Sequence, residues 1–414
     1  MLPVGHIFKE LFAERTRVLL TILAIAWGTA SITVMLALGE GLRTVFGRSM
    51  RGMGEGILIV WPGQTSKAHQ GVPEGQGLPL DQDDRDQFRA SIPEIGALSG
   101  EYTTWRQVRH GKLLRTGRIA GVDPEYGPMR NIIPQAGGRF LDQLDIEQRR
   151  RVIVLGPQVN KELFGEGADP VGQYVAVEGQ PFLVVGVMQK KFQTSSYGSP
   201  DREACWIPSS TFETLYNQRH YGNLVLKPKQ PGDMERIKTR LRELKAQRHG
   251  ADPTDAELAR FWDTLEMQEI SGNVFSGLQV VLGIIGGLTL IVAGVGIANV
   301  MYVSVSNATR DIGIRMAVGA RDFQVLGQYV LEGLLATAIG GALGLAFSLG
   351  VVWAVEQIPM QGEFFEFVGR PVPVLSLKVA LIVVGVLGLI GLLAGFFPAR
   401  RAAQVDPAEA LRYE

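Results

Sequence analysis

The chain has 414 residues, with 41 lysines and arginines against 41 aspartates and glutamates, so its formal net charge is zero. That balance gives no reason to propose nucleic acid as a partner. A single cysteine, Cys205, excludes an intrachain disulfide framework. The five histidines (His6, His69, His110, His220, His249) never stand at ligand spacing, so no metal site is expected.

In chain order, residues 1–17 come first. Ile7, Phe8, Leu11 and Phe12 share one helical face opposite Lys9 and Glu10, the pattern of an interfacial amphipathic helix. Residues 18–38 then carry no charge, and about 20 apolar residues cross a bilayer core, which places a first transmembrane helix at 18–39. Ala37-Leu38-Gly39 would also suit a signal-peptide cleavage site. The apolar run is longer than a signal core of roughly 7–15 residues, however, and the leader contains Glu10 and Glu14.

Residues 40–272 alternate strand and helix patterns. "GILIVWP" and "RRVIVLG" read as strands, and "QYVAVEGQPFLVVGV" as a hairpin turning across Gly179 and Gln180. "DMERIKTRLRELKAQ" reads as a helix with Ile237, Leu241 and Leu244 on one face. The Gly/Pro-rich stretch at 61–77 reads as a mobile loop.

Residues 270–309 are again uncharged. At about 1.5 Å per residue they reach on the order of 60 Å, too long to be all membrane. The polar start (Ser271, Asn273, Ser276, Gln279) and the end near Ser304 and Ser306 belong outside the lipid, giving a second span with stalk at 273–306. Residues 307–322 form a short charged helix. Thr309 is its expected N-cap, Asp311 suits the positive end of the helix dipole, and Asp311 and Arg315 stand at pairing distance. Ile312/Met316 and Ile314/Val318 are apolar i,i+4 pairs, and Gly319 suits the C-terminal turn.

The third span, 323–355, carries Ala336, Gly340, Gly344 and Ser348 at four-residue spacing. Small residues let helices approach closely in lipid, so the stripe reads either as a dimer interface or as packing within the chain. Gly283/Gly287 and Gly391/Gly395 repeat the spacing. A loop at 356–377, a fourth span at 378–399 and a tail at 400–414 complete the chain.

The expected fold class is an α-helical membrane protein with four transmembrane helices plus a large mixed α/β extracytoplasmic domain inserted between helices 1 and 2. Short-loop cations set the orientation: Lys9, Arg15 and Arg17, then Arg310, Arg315 and Arg321, then Arg400, Arg401 and Arg412 read as cytoplasmic. Both termini then lie in the cytoplasm, in a cell inner membrane. No phosphate-binding G-x-x-x-x-G-K-[ST] occurs, and "GVGIAN" sits inside an apolar run without strand–helix context. None of the four apolar runs has a central ionisable residue, which argues against an ion or proton path. The driving energy is expected to enter elsewhere, with the charged helix as the obvious input.

Three blocks carry a family resemblance: "NVMYVSVSNATRDIGIRMAVGARDFQVLGQYVLEGL", "VIVLGPQVNKELFGEGADPVGQYVAVEGQPFLVVGVM" and the tail "FFPARRAAQVDPAEALRYE". They resemble the MacB/FtsX-type ABC transporter permeases, also called type VII ABC or mechanotransmission proteins. Nearly the whole chain is covered, in the right order. Asp311 stands where that family usually has Glu, and Asn307 where it has an acid.

The resemblance implies a permease dimer, homo- or heteromeric, on which a dimer of cytoplasmic ATPases docks. It assigns that docking to Thr309, Arg310, Asp311, Ile312, Gly313, Arg315, Met316, Gly319 and Arg321. Pro398, Arg400, Arg401, Pro407 and Leu411 would support the same cytoplasmic surface or anchor the fourth span. ATP and Mg would be bound by the separate ATPase subunit, so no cofactor and no enzymatic activity are expected in this chain. Efflux members imply a periplasmic adaptor and an outer-membrane channel. The transported cargo would be a small molecule, peptide or lipoprotein; the alternative is FtsX-like signalling to a cell-wall hydrolase without transport.

Overall fold

The computed structural model describes residues 15–193, 196–360, 362, 365 and 369–403. The interfacial helix expected over 1–17 therefore lies outside the described residues up to residue 14, as does the tail from residue 404 onward. In chain order the elements are α1 (Arg15–Met53), β1 (Leu58–Gln64), β2 (Gly77–Leu78), α2 (Gln82–Ser91), β3 (Ile95–His110), β4 (Leu113–Val122), β5 (Val152–Leu155), α3 (Pro157–Phe164), β6 (Tyr174–Val177) and β7 (Gln180–Val187). There follow β8 (Ala204–Pro208), α4 (Ser209–Tyr216), β9 (Asn223–Pro228), α5 (Met234–His249), β10 (Ala259–Asp263), α6 (Thr264–Asn307), α7 (Thr309–Ala317), α8 (Asp322–Gln357) and α9 (Leu377–Ala403). Contacts divide the chain into a helical unit (Met1–Thr44, Gly272–Gln361, Arg370–Glu414) and a sheet unit (Val45–Ser271, Gly362–Gly369).

In the helical unit α1, α6, α8 and α9 are long and apolar enough to cross a membrane. α1 and α6 exceed the spans expected from charge gaps, since a charge ends an apolar run without ending a helix. Ile25, Ile32 and Leu36 of α1 share a core with Leu290, Ile297 and Met301 of α6, Val325 and Tyr329 of α8, and Val383 and Leu387 of α9. Glycines bring α8 and α9 together: a Cβ at Gly391 would meet the Thr337 side chain at 2.6 Å, and one at Gly395 the Val330 backbone at 3.4 Å.

Three residues of the small-residue stripe of α8 pack within the chain. A Cβ at Gly340 would meet Ile25 Cβ at 2.7 Å, and one at Gly344 would meet Thr29 Cβ at 2.6 Å. Ser348 is fully buried, and its hydroxyl donates to Gly344 O at 2.8 Å. Gly340, Gly344 and Ser348 of the stripe expected as a dimer interface thus face α1 of the same chain, and Ala336 is half-buried. Exposed apolar residues of α8 stand off the stripe and include Ile339, Leu343, Phe347, Leu349 and Trp353.

The sheet unit is mixed α/β as expected. Its strands run in the order β10-β1-β9-β3-β4-β8-β5-β7-β6, with β2 beside β1. β6 also pairs with β3, through Val108↔Val177 and Arg109↔Ala176. The strands β3, β4, β8, β5, β7 and β6 therefore close into a ring.

The sheet is buried on both sides. Leu58 and Val60 of β1 enter one core with Ile153 and Leu155 of β5, together with Phe88 of α2 and Ile237, Leu241 and Leu244 of α5. Their neighbours Ile59, Val152 and Val154 enter a second core with Trp206 and Val225. This two-sided burial explains why "ILIV" and "VIVL" are continuous apolar runs instead of alternating ones.

The β6–β7 turn falls at Glu178 and Gly179, with φ of 47° and 83°, one residue earlier than expected. Positive φ at both central residues is the two-residue hairpin turn that matches strand twist, and glycine carries the second position without strain. The stretch at 61–77 is tied down. Its first residues extend β1, Thr65 Oγ1 donates to Pro73 O at 2.6 Å, and Ser66 Oγ donates to Asp255 Oδ1 at 2.7 Å.

Candidate functional site

α7 lies between α6 and α8 of the helical unit. Only Ala308 separates it from α6, and its φ of −89° and ψ of 3° lie near helical values. Thr309 is inside the helix and does not cap it: its hydroxyl donates back to Val305 O at 3.1 Å and Ser306 O at 2.9 Å. Across the junction Ala308 N donates to Ser304 O at 2.9 Å and Ile312 N donates to Ala308 O at 2.9 Å.

The other end is closed in the expected way. Gly319, at φ 102°, donates to Met316 O at 3.0 Å, and Ala320 N donates to Arg315 O at 3.0 Å. These paired bonds satisfy the last carbonyls of the helix, and they require the left-handed backbone that glycine adopts most readily. Arg321 then starts α8, its backbone N–H donating to Gln324 Oε1 at 3.2 Å.

Burial separates the expected docking residues into two faces. Ile312 and Gly313 are buried, Met316 is half-buried, and Ile312 belongs to the same core as Val325, Tyr329 and Ala399. They hold α7 to its own unit and are not offered to a partner. Arg310, Asp311, Arg315 and Arg321 are exposed, and Arg315 Nη1 donates to Gln328 Oε1 at 3.3 Å. Between these charges stand three exposed apolar side chains: Ile314 at 43%, Val318 at 85% and Phe323 at 81%.

Phe323 was not singled out in the sequence, although an aromatic flanked by Asp322 and Gln324 at a helix start was the available signal. The surface can seat an apolar ridge inside a charged rim, the usual composition of a partner-binding patch.

Of the expected tail residues, Pro398 is buried inside α9, which continues to Ala403. Arg400 and Arg401 form the last turn of α9, where cations complement the helix dipole, and Arg401 lies 5.9 Å from the Tyr302 ring centroid. Pro407 and Leu411 lie outside the described residues.

The sheet unit contains a buried ion cluster that the sequence did not disclose. Arg118 and Glu101 pair in the interior, and Glu101 Oε2 also accepts from the Tyr197 hydroxyl at 2.6 Å and Asn223 Nδ2 at 2.8 Å. Beside them Arg130 Nη2 donates to Asp201 Oδ1 at 2.9 Å, and Lys191 Nζ stands 2.7 Å from Asp201 Oδ2. The Tyr197 ring is 5.4 Å from the Arg118 guanidinium and 4.7 Å from that of Arg130. Burial alone would raise the Asp201 carboxyl, but Arg130 and Lys191 hold it well below the usual carboxylate range. Burial pulls Lys191 below the ordinary lysine value, against the pull of Asp201. No spacing or period connects these residues, because they come from the neighbouring strands β3, β4 and β9 and from connections between strands.

Comparison with known proteins gives two family matches. Residues 18–244 match the model of the MacB-like periplasmic core domain, and residues 283–407 that of the FtsX-like permease C-terminal region. The chain is 32% identical to a macrolide export ATP-binding/permease protein MacB of Rhodospirillum rubrum, over 98% of this chain and 59% of that protein. It is 29% identical to a pyoverdine export ATP-binding/permease protein PvdT of Pseudomonas syringae pv. syringae, over 98% of this chain and 58% of that protein. The chain thus spans about six tenths of the length of these relatives. The solved periplasmic region of MacB from Actinobacillus actinomycetemcomitans matches 54% of this chain and 96% of its own, at 18% identity and a TM-score of 0.43.

Proposed function

The chain belongs to the MacB-like and FtsX-like permease family, and from that premise we propose that it is the permease subunit of an ATP-driven ABC exporter or mechanotransmission complex. In this reading the helical unit crosses the inner membrane four times with both termini in the cytoplasm. The sheet unit is the periplasmic domain. A dimer of ATPase subunits or domains docks on α7, binds ATP and Mg, and performs the hydrolysis, and this chain transmits the resulting motion. A second permease copy completes the assembly, and a periplasmic adaptor and outer-membrane channel complete an efflux path. The cargo is a small molecule, peptide or lipoprotein.

One observation carries the coupling part of this proposal. The connection between α6 and α8 is a helix whose inner face is anchored and whose outer side presents Ile314 and Val318, with Phe323 exposed at the start of α8, among the exposed Arg310, Arg315 and Arg321. Apolar anchors in a charged rim suit a groove on a partner. The test is co-purification with a co-expressed ABC ATPase, with nucleotide hydrolysis measured in lipid vesicles. Val318→Asp and Phe323→Ala should each weaken ATPase association by roughly tenfold or more, as loss of an interface anchor does. The thermal unfolding midpoint of the permease should not move. Association and hydrolysis equal to wild type in both variants would remove α7 as the coupling element. Gly313→Trp is a poor probe, because Gly313 faces the core of its own unit.

A further inference from the structure

Strand β3 is paired unequally along its two edges. On one side β4 follows it without a break from Glu101 to His110. On the other side two strands share it: β9 runs beside Ile95 to Glu101, and β6 pairs with it only at Val108 and Arg109. Successive residues of a strand direct their backbone groups to its two edges in turn. Gly222 N donates to Glu101 O at 2.9 Å and Glu178 N donates to Gln107 O at 3.2 Å, so the odd-numbered residues face this second edge. Thr103 and Trp105 lie between those two bonds and pair with neither strand.

Their backbone groups open onto a slot in the sheet. The N–H and C=O of Thr103 and the N–H of Trp105 have no partner among the described residues. Trp105 O accepts from Arg106 Nη1 at 3.0 Å, and Arg106 Nε stands 3.0 Å from Glu178 Oε1. The Trp105 side chain is 53% exposed and Gln107 is exposed, so this stretch of edge lies at the surface. On the other face of the strand the Arg106 guanidinium lies 5.1 Å from the Tyr216 ring centroid.

Two features define what fits. Donors and acceptors repeating at every second residue, about 7 Å apart, match another extended backbone and not a compact ligand. The slot is also short. It faces residues 103–106, roughly 13 Å of strand, and Gly222 and Glu178 of the same chain close its two ends. A strand fixed inside a folded partner would run on into β9 or β6. A linear peptide can pair over those residues and turn away from the sheet at each end.

We propose that the β3 edge at Thr103 and Trp105 binds a short linear peptide by strand addition, antiparallel to β3 as β9 and β6 are. The peptide exchanges backbone hydrogen bonds with Thr103 and accepts one from Trp105 N–H, and its side chain opposite Trp105 packs on the indole. The site lies within the sheet unit and is independent of the coupling role of α7.

The probe is a phage-displayed library of random linear heptapeptides, selected on the full chain in lipid nanodiscs after depletion on empty nanodiscs. Enriched sequences are resynthesised with a fluorophore and titrated by polarisation. Each is also made N-methylated at alternate residues, in both possible phases. One phase should weaken binding at least about tenfold, as loss of two backbone hydrogen bonds does, and the other should leave it within about twofold. Bound peptide should slow amide exchange at Thr103 and Trp105 and leave Val108 unchanged. Thr103→Pro removes an outward N–H that takes no part in the β4 ladder, and should weaken binding by about 2–10-fold. Its unfolding midpoint shows whether the variant is folded, and the N-methylated pair decides if it is not. No enriched sequence, or equal loss of binding from both N-methylation phases or from neither, would overturn the proposal. So would protection of Thr103 and Trp105 that rises with protein concentration in the absence of peptide, because a second copy would then occupy the slot.

Discussion

Asp201 is the shared acceptor for Arg130 and Lys191 in the interior of the sheet unit, so its removal strands two cations at once. Breaking a buried pair from one side costs about 3–5 kcal/mol. Asp201→Asn should lower stability by that order in denaturant unfolding of the full chain. The pH dependence has a definite sign. The folded carboxyl titrates below the unfolded one, so its stabilisation is fully present above the ordinary carboxylate pKa and is lost as pH falls through the lower folded value. Asp201→Asn should therefore flatten the acid limb of the stability profile, and an acid limb identical to wild type would refute this account. At Gly319 the constraint is the backbone alone: φ is 102° and a Cβ there meets nothing within 4 Å. Gly319→Val should cost at least about 1 kcal/mol of local stability and loosen the last turn of α7, seen as faster amide exchange at position 319 and at Ala320.

At the scale of elements, α8 depends on bare backbone where it meets α1. Gly344→Leu would drive a side chain into Thr29 and the backbone at Ala26, whereas Leu343→Ala alters a position that is 52% exposed. The first should collapse the yield of monodisperse protein in detergent, and the second should leave it near wild type. Comparable yields would mean that α1 and α8 do not pack as described.

The same elements show what the sequence could and could not disclose. Strands β1 and β5, helix α5 and the four apolar helices were legible because hydrophobic runs and period mark them directly. The sides of α7 were not. Ile312/Met316 and Ile314/Val318 are equally apolar and lie on opposite faces of the helix, so only the core containing Val325, Tyr329 and Ala399 decides which pair turns inward. The small-residue stripe was equally ambiguous, since close approach looks the same whether the neighbour is α1 or a second copy. The ion cluster gave no signal at all, because its members come from the neighbouring strands β3, β4 and β9 and from the connections that hold Arg130, Lys191, Tyr197 and Asp201, at no regular spacing.

For the molecule as a whole, the sheet unit carries two cores on the two faces of one sheet. Adjacent residues of β1 therefore stabilise different interiors: Leu58 points into one and Ile59 into the other, each fully buried. Leu58→Ala and Ile59→Ala should each cost about 2–5 kcal/mol, measured by denaturant unfolding. A strand with one wet face would tolerate one of the two substitutions, and that outcome would contradict the two-core arrangement.

The ring of strands has a consequence for how this unit would yield under load. β3 and β4 are held along a register of ten partners, from Glu101↔Val122 to His110↔Leu113, whereas β3 and β6 meet at only Val108↔Val177 and Arg109↔Ala176. Rupture of a ladder starts where the fewest bonds must break together, and this short join is steadied from outside by the Arg106–Glu178 ion pair at 3.0 Å and by Glu178 N donating to Gln107 O at 3.2 Å. The β5–β8 join of the same ring is as short, Val154↔Trp206 and Leu155↔Cys205, so a pull on the sheet would strain these two joins first; loss of the β3–β6 seam turns a closed ring into an open ribbon with β6 as its free edge.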